Sequence, residues 1–171
     1  MRCFIAVDLP ENIKQKLGGI LLDERFADAV KVSDYHLTLK FLGDINEPTL
    51  ERVKKELCKI RFKPFKLKLD KIGSFPNRNF IRVIWIGVTP KRKIINLMMD
   101  VDNLLVSLFP REKRFDSHIT LARIKMVKKR DEFMKIFDVR IDECFNVDKM
   151  KLIKSELTEK GAKYKTLEEY P

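Results

Sequence analysis

The 171-residue chain has only two histidines, His36 and His118, and three cysteines. Cys3, Cys58 and Cys144 are odd in number, scattered and without a C-x-x-C pair, so no disulfide framework or thiolate metal site is expected and all three read as buried thiols. Two histidines 82 residues apart leave no dedicated transition-metal site. No metal and no cofactor are expected. No stretch approaches the roughly 18 consecutive apolar residues of a membrane span. The start, MRCFIAVDLPENIKQK, lacks the basic, apolar and small-residue regions of a secretory signal. The expectation is a cytoplasmic protein with no membrane partner. Gln occurs once while charges of both signs are dense, a composition of heat-adapted proteins.

With 44% hydrophobic and 36% charged residues, the chain has material for a core and reads as one globular unit, a single domain or a pair of lobes. The net charge is +11 and it is clustered. Residues 59–82 hold eight basic residues and one acid, and residues 111–130 hold eight basic residues and two acids. The remainder is slightly acidic. Such a field suits an anionic partner, nucleic acid or a phosphorylated ligand; the alternative is the solvated lysine surface of a heat-adapted protein.

Periodicity organises the chain. Residues 2–8 (RCFIAVD) read as a buried strand, and Ile13, Leu17, Ile20 and Leu21 predict a helix from 11 to about 27. Residues 35–43 (YHLTLKFLG) alternate, placing His36, Thr38 and Lys40 on one face and Leu37, Leu39 and Phe41 on the other. Asn46 caps a second helix with the stripe Leu50, Val53, Leu57 and Ile60. Strands follow at 63–72 and 80–88. Thr89-Pro90, read as N-cap and N1, then opens a long helix from Ile94 to Leu108. A short helix at 129–137 and a hairpin at 149–169, turning at Gly161, close the chain.

This order repeats. FIAVD, Pro10, a helix and His36 correspond to WIGVT, Pro90, a helix and His118, with Phe4 to His36 spanning 32 residues and Trp85 to His118 spanning 33. His118-Ile119-Thr120-Leu121 repeats His36-Leu37-Thr38-Leu39. An internal duplication is expected, making residues 1–171 one bilobal domain of two pseudo-twofold lobes.

On a strand, His and Thr at i and i+2 share a face roughly 6.5 to 7 Å apart. If the two lobes meet across a cleft, two imidazoles and two hydroxyls surround one point. That arrangement suits in-line displacement at phosphorus, where one imidazole accepts a proton and the other donates one, because an unperturbed pKa near 6.5 keeps both forms accessible. Thr38 and Thr120 can donate to phosphate oxygens, and Arg123 can balance charge on them. Arg123 lies at an odd offset from His118, so a regular strand points it away; a bulge or the strand end would bring it in.

The chain resembles the 2H phosphoesterase superfamily, defined by two His-x-[Thr/Ser]-x motifs, and within it the RNA 2′,3′-cyclic phosphodiesterase or 2′-5′ RNA ligase family. The resemblance runs through RCFIAVDLP, HLTLKFLG, RVIWIGV, HITLAR and the tail Leu152, Ser155, Leu157, Gly161, Tyr164 and Leu167. It implies an α+β fold of two lobes, each an antiparallel sheet backed by helices, with a groove between them and no metal requirement. It further implies hydrolysis of an RNA 2′,3′-cyclic phosphate to a 2′-phosphate, with His118 as general base, His36 as general acid and Thr38, Thr120 and Arg123 on the phosphate. The residues alone do not order the two histidines.

Around that centre, Phe41 and Trp85 alternate with strand apolars and read as core, whereas Phe75, beside Arg78, is the candidate to stack on a base. Lys40, Phe75 and Arg78 are candidate RNA contacts. Lys63, Lys66, Lys68 and Lys71, with Arg111, Lys113 and Arg114, are candidates to follow an RNA backbone. A monomer is expected. Rival readings are reversible 2′-5′ ligation of RNA, a 2H enzyme for nucleotide-sized cyclic phosphates or 2′-5′ linkages, and a non-catalytic module that binds RNA ends.

Overall fold

The computed structural model describes residues 1–20 and 22–171. Strand β1 (Arg2–Asp8) leads through Pro10 into helix α1 (Glu11–Gly18), followed by β2 (Ala27–Lys31), β3 (His36–Asp44) and α2 (Glu47–Leu57). Next come β4 (Phe65–Pro76), β5 (Ile81–Thr89), α3 (Lys91–Leu104) and β6 (His118–Val127). A short α4 (Arg130–Phe133) runs into a 3₁₀ turn over Met134–Asp138, and β7 (Cys144–Val147), β8 (Met150–Thr158) and β9 (Gly161–Tyr170) complete the described chain.

All the strand pairs are antiparallel, and they join in the order β7-β4-β5-β6-β3-β1-β8-β9, with β2 along β6. The centre of this order lies between β3 and β6, with β1, β8 and β9 on one side and β5, β4 and β7 on the other. The two halves touch there through one ladder pair, Leu37 with Ile119. Both side chains are fully buried, each contributing about 1.5–3 kcal/mol of hydrophobic stabilisation.

One face of the sheet is covered by helices. Ile13 and Leu17 of α1, Leu50, Val53 and Leu57 of α2, and Ile94, Leu97, Met98 and Val101 of α3 pack there against Ile5, Val7, Leu37, Ile84, Ile86 and Ile119. The Asn46 side chain accepts from Thr49 N at 2.9 Å, so the expected cap starts α2. The other face is open and carries a separate small cluster of Phe4, Ala6 and Ile153, with Tyr164 packed against it.

Several expectations need correction. The first helix ends at Gly18 rather than near 27, because Gly18-Gly19 stops it and 27–31 is instead recruited as β2 by β6. Leu21, assigned to that helix, lies outside the described residues. Pro90 itself is the N-cap of α3, and Thr89 remains in the ladder opposite Lys68. Cys58 and Cys144 are exposed, and only Cys3 is a buried thiol. Finally, Ala6 pairs with Thr38 while Trp85 pairs with Thr120. The ladder therefore equates Trp85 with Ala6 and shifts the sequence alignment, which matched Trp85 to Phe4, by two residues without changing faces.

Candidate active site

His36 and His118 are the first residues of β3 and β6, and both are half-buried. The antiparallel pair Leu37–Ile119 sets their relation: it carries His36 toward Thr120 and His118 toward Thr38, all four on the open face. Diagonal neighbours in a sheet stand about 7–8 Å apart.

Beyond the motifs, both strands bulge at the same place. Thr38 pairs with Ala6 and Lys40 with Ile5, leaving Leu39 without a rung; Thr120 pairs with Trp85 and Ala122 with Ile84, leaving Leu121 without one. Each bulge sends two consecutive side chains to the core and flips the residues beyond. His36–Asp44 and His118–Met126 consequently show the same succession of half-buried, buried and exposed positions, residue for residue. Arg123 is thereby returned to the face of His118 and Thr120, exposed and flanked in the ladders by Val83 and Val30.

The same bulge overturns two sequence readings. Lys40 turns into the core, 3% exposed, so it is not an RNA contact. Its ammonium donates to Asp102 of α3 at 2.8 Å, to Glu112 at 3.0 Å and to the Pro110 carbonyl at 3.2 Å. Phe41, read as core, instead stands 67% exposed at the place in the first half that Arg123 holds in the second.

Aromatic rings fix both imidazoles. Phe4 stacks on His36 at 4.8 Å, and Tyr164 of β9 meets its ring edge-on at 5.1 Å. Phe75 meets His118 edge-on at 4.9 Å, and Trp85 lies 6.1 Å away at a tilt. Trp85 is thus a wall of the site rather than core. Its ring lies across Gly73, where a Cβ would collide with it. Phe75, the residue expected to stack on a base, packs against His118. Arg78 is exposed, but its guanidinium lies 4.3 Å over the Phe137 ring and is not brought to the imidazoles. Phe4 and Tyr164 were missed as site residues. Both lie within segments that carry the family resemblance, but only the register shows that they face His36.

Burial pushes the His36 pKa below its ordinary value, against the pull of Asp34 and Asp8 and with a further push from Lys14. Burial likewise pushes His118 down, opposed by Asp116. Nδ1 of His118 is buried and has no hydrogen-bond partner among the described residues. The arrangement gathers two imidazoles, two hydroxyls and one guanidinium on one face of the sheet, a set suited to a small anion.

Paired His-x-Thr strands meeting on the open face of an antiparallel sheet backed by helices define a two-histidine phosphoesterase of α+β fold. A family model described as LigT like Phosphoesterase matches residues 7–85. The chain is 35% identical to the RNA 2′,3′-cyclic phosphodiesterase of Methanocaldococcus jannaschii, over 99% of this chain and 100% of that protein. With the RNA 2′,3′-cyclic phosphodiesterase of Archaeoglobus fulgidus it shares 36% identity over 98% of each chain. The chain belongs to the LigT-like phosphoesterase family. Among solved structures, TT0787 of Thermus thermophilus superposes with a TM-score of 0.80 at 28% identity, covering 99% of this chain and 97% of that one. E. coli LigT complexed with 3′-AMP shares the fold, with a TM-score of 0.76 at 24% identity over 99% of this chain and 96% of its own.

Proposed function

We propose that this protein hydrolyses RNA 2′,3′-cyclic phosphate ends to 2′-phosphates, with His118 as general base and His36 as general acid. The observation that carries the reading is the convergence of His36, Thr38, His118 and Thr120 on one face across the Leu37–Ile119 pair. In the reaction a water oxygen bonds to phosphorus while the P–O3′ bond breaks. The water proton passes to Nε2 of His118, and His36 delivers a proton to the departing O3′, so the charge balance closes with the two imidazoles exchanged in protonation. Thr38 and Thr120 donate to the non-bridging oxygens, and Arg123 balances the charge that grows on them. Phe75 and Arg78, with the exposed lysines of β4, contact the RNA beyond the reacting end.

The matched burial sequences of β3 and β6 support reading residues 1–171 as one bilobal domain built by duplication. Because one chain supplies both imidazoles and both threonines, the site is complete in a monomer. The test is binding and turnover measured together on an oligoribonucleotide with a 2′,3′-cyclic phosphate. Wild type should bind and turn over, and H118A should still bind while losing about 10²–10⁴-fold in rate. Binding without turnover in the wild type would replace the enzyme with a module that holds RNA ends.

A further inference from the structure

The chain enters its two motifs differently. Before His36, Ala27–Lys31 forms a ladder with β6, whereas residues 106–117, before His118, join no strand. Side chains hold that second segment instead. Phe109 and Phe115 pack against the core. Between them Pro110–Arg114 is exposed, and its middle is pinned from beneath by a buried pair. Lys40 of β3 donates to Glu112 at 3.0 Å, to the Pro110 carbonyl at 3.2 Å and to Asp102 of α3 at 2.8 Å, and Asp102 also accepts from the Glu112 backbone N–H at 3.2 Å. Glu112, the acid of the stretch, is thereby engaged, and Arg111, Lys113 and Arg114 remain as its exposed cations. Asn103 accepts from the Arg111 guanidinium at 2.6 Å, and Arg114 has a 3.6 Å contact with Asp116. Arg114 lies four residues before His118, at most about 14 Å along an extended chain.

We infer that Pro110–Arg114 is a preformed grip for the RNA backbone, held beside the strand of the first motif by Lys40 and Asp102 acting as positioning residues. The inference rests on the RNA reading above and concerns nucleotides beyond the reacting end. A connection that only joined α3 to β6 would need no buried ion pair, whose desolvation cost an apolar pair avoids; what such a pair supplies is one fixed arrangement. Cations already fixed in place lose less freedom when they take phosphates. Each phosphate they neutralise releases counterions, so the grip acts on a polyanion and not on a single phosphate. Lys40 itself touches no RNA and works through the segment it fastens.

Two substrates and two variants test this. In R111Q/K113Q/R114Q the KM of an oligoribonucleotide ending in a 2′,3′-cyclic phosphate should rise about tenfold at low salt and depend less steeply on salt, while kcat and KM for a cyclic mononucleotide stay within about twofold. K40M/D102L keeps all three cations but removes their fastening. It should raise the oligonucleotide KM by about five- to tenfold, and combining the two variants should add less than about twofold, because both act through one segment. Binding of an oligoribonucleotide ending in a 2′-phosphate, which needs no turnover, should weaken in the same variants. An unchanged oligonucleotide KM in the triple variant, equal losses on both substrates, or losses that multiply when the variants are combined would overturn the inference and leave two-histidine hydrolysis standing. A K40M/D102L protein that fails to fold would overturn the positioning role by making the pair a requirement for folding. Absence of turnover in the wild type on both substrates would remove the hydrolytic reading itself, and the binding measurement would still decide the grip.

Discussion

Burial lowers the proton affinity of both imidazoles, so in the free protein each loses its proton at a lower pH than a solvated histidine, whose pKa is about 6.5. The productive form needs a proton on His36 and none on His118. The profile of kcat/KM should therefore be a bell centred on the acid side of about 6.5, because both limbs belong to groups shifted downward. A bound phosphodiester anion attracts protons, so the kcat profile should lie at higher pH than that of kcat/KM. Rate measurements across pH check both statements, and a single-limbed kcat/KM profile would contradict the two-group mechanism. At this scale the sequence was most legible where residues repeat: both histidines and both threonines stand where the duplicated motif puts them. Arg123 was legible only with the bulge it required. Phe4 and Tyr164 were hidden because their place beside His36 depends on which rung faces which.

The paired bulges decide the fate of whole strands. Strict alternation would put Lys40 with His36 and Thr38, but one unpaired residue at Leu39 turns Lys40 under α3 and Phe41 outward. Nothing local in KFLG distinguishes these outcomes. The Lys40–Asp102 pair is nearly solvent-free, at 2% and 5% side-chain exposure. Its attraction offsets a large desolvation cost, so removing one member is worse than removing both. K40M should lower stability by about 3–5 kcal/mol, and K40M combined with D102L should recover most of it. Denaturant unfolding measures both, and a K40M protein as stable as wild type would show that the pair does not tie α3 to β3. Helix α2 was legible because cap, proline and apolar stripe agree. The strands β2 and β7 were not, since each is short and owes its conformation to a neighbour, β6 or β4.

Across the whole molecule, the groups around the two histidines are charged differently. In the first half Lys14 and Lys151 are engaged by Asp8, Asp34 and Glu169. In the second half Lys66, Lys71, Arg82, Arg123 and Lys125 are exposed, continuing the basic stretches of the sequence. An RNA strand gripped there displaces counterions. Its KM should rise on the order of ten- to a hundredfold between 50 and 200 mM salt, while that of a cyclic mononucleotide should change by less than roughly threefold. Equal salt responses would make the basic surface incidental to substrate binding. The most direct test of the central claim is incubation with an oligoribonucleotide ending in a 2′,3′-cyclic phosphate, in the presence of a chelator, followed by identification of the terminal phosphate. The expected result is a 2′-phosphate formed by the wild type and absent with H36A or H118A. A 3′-phosphate product, or turnover that survives loss of either histidine, would contradict it.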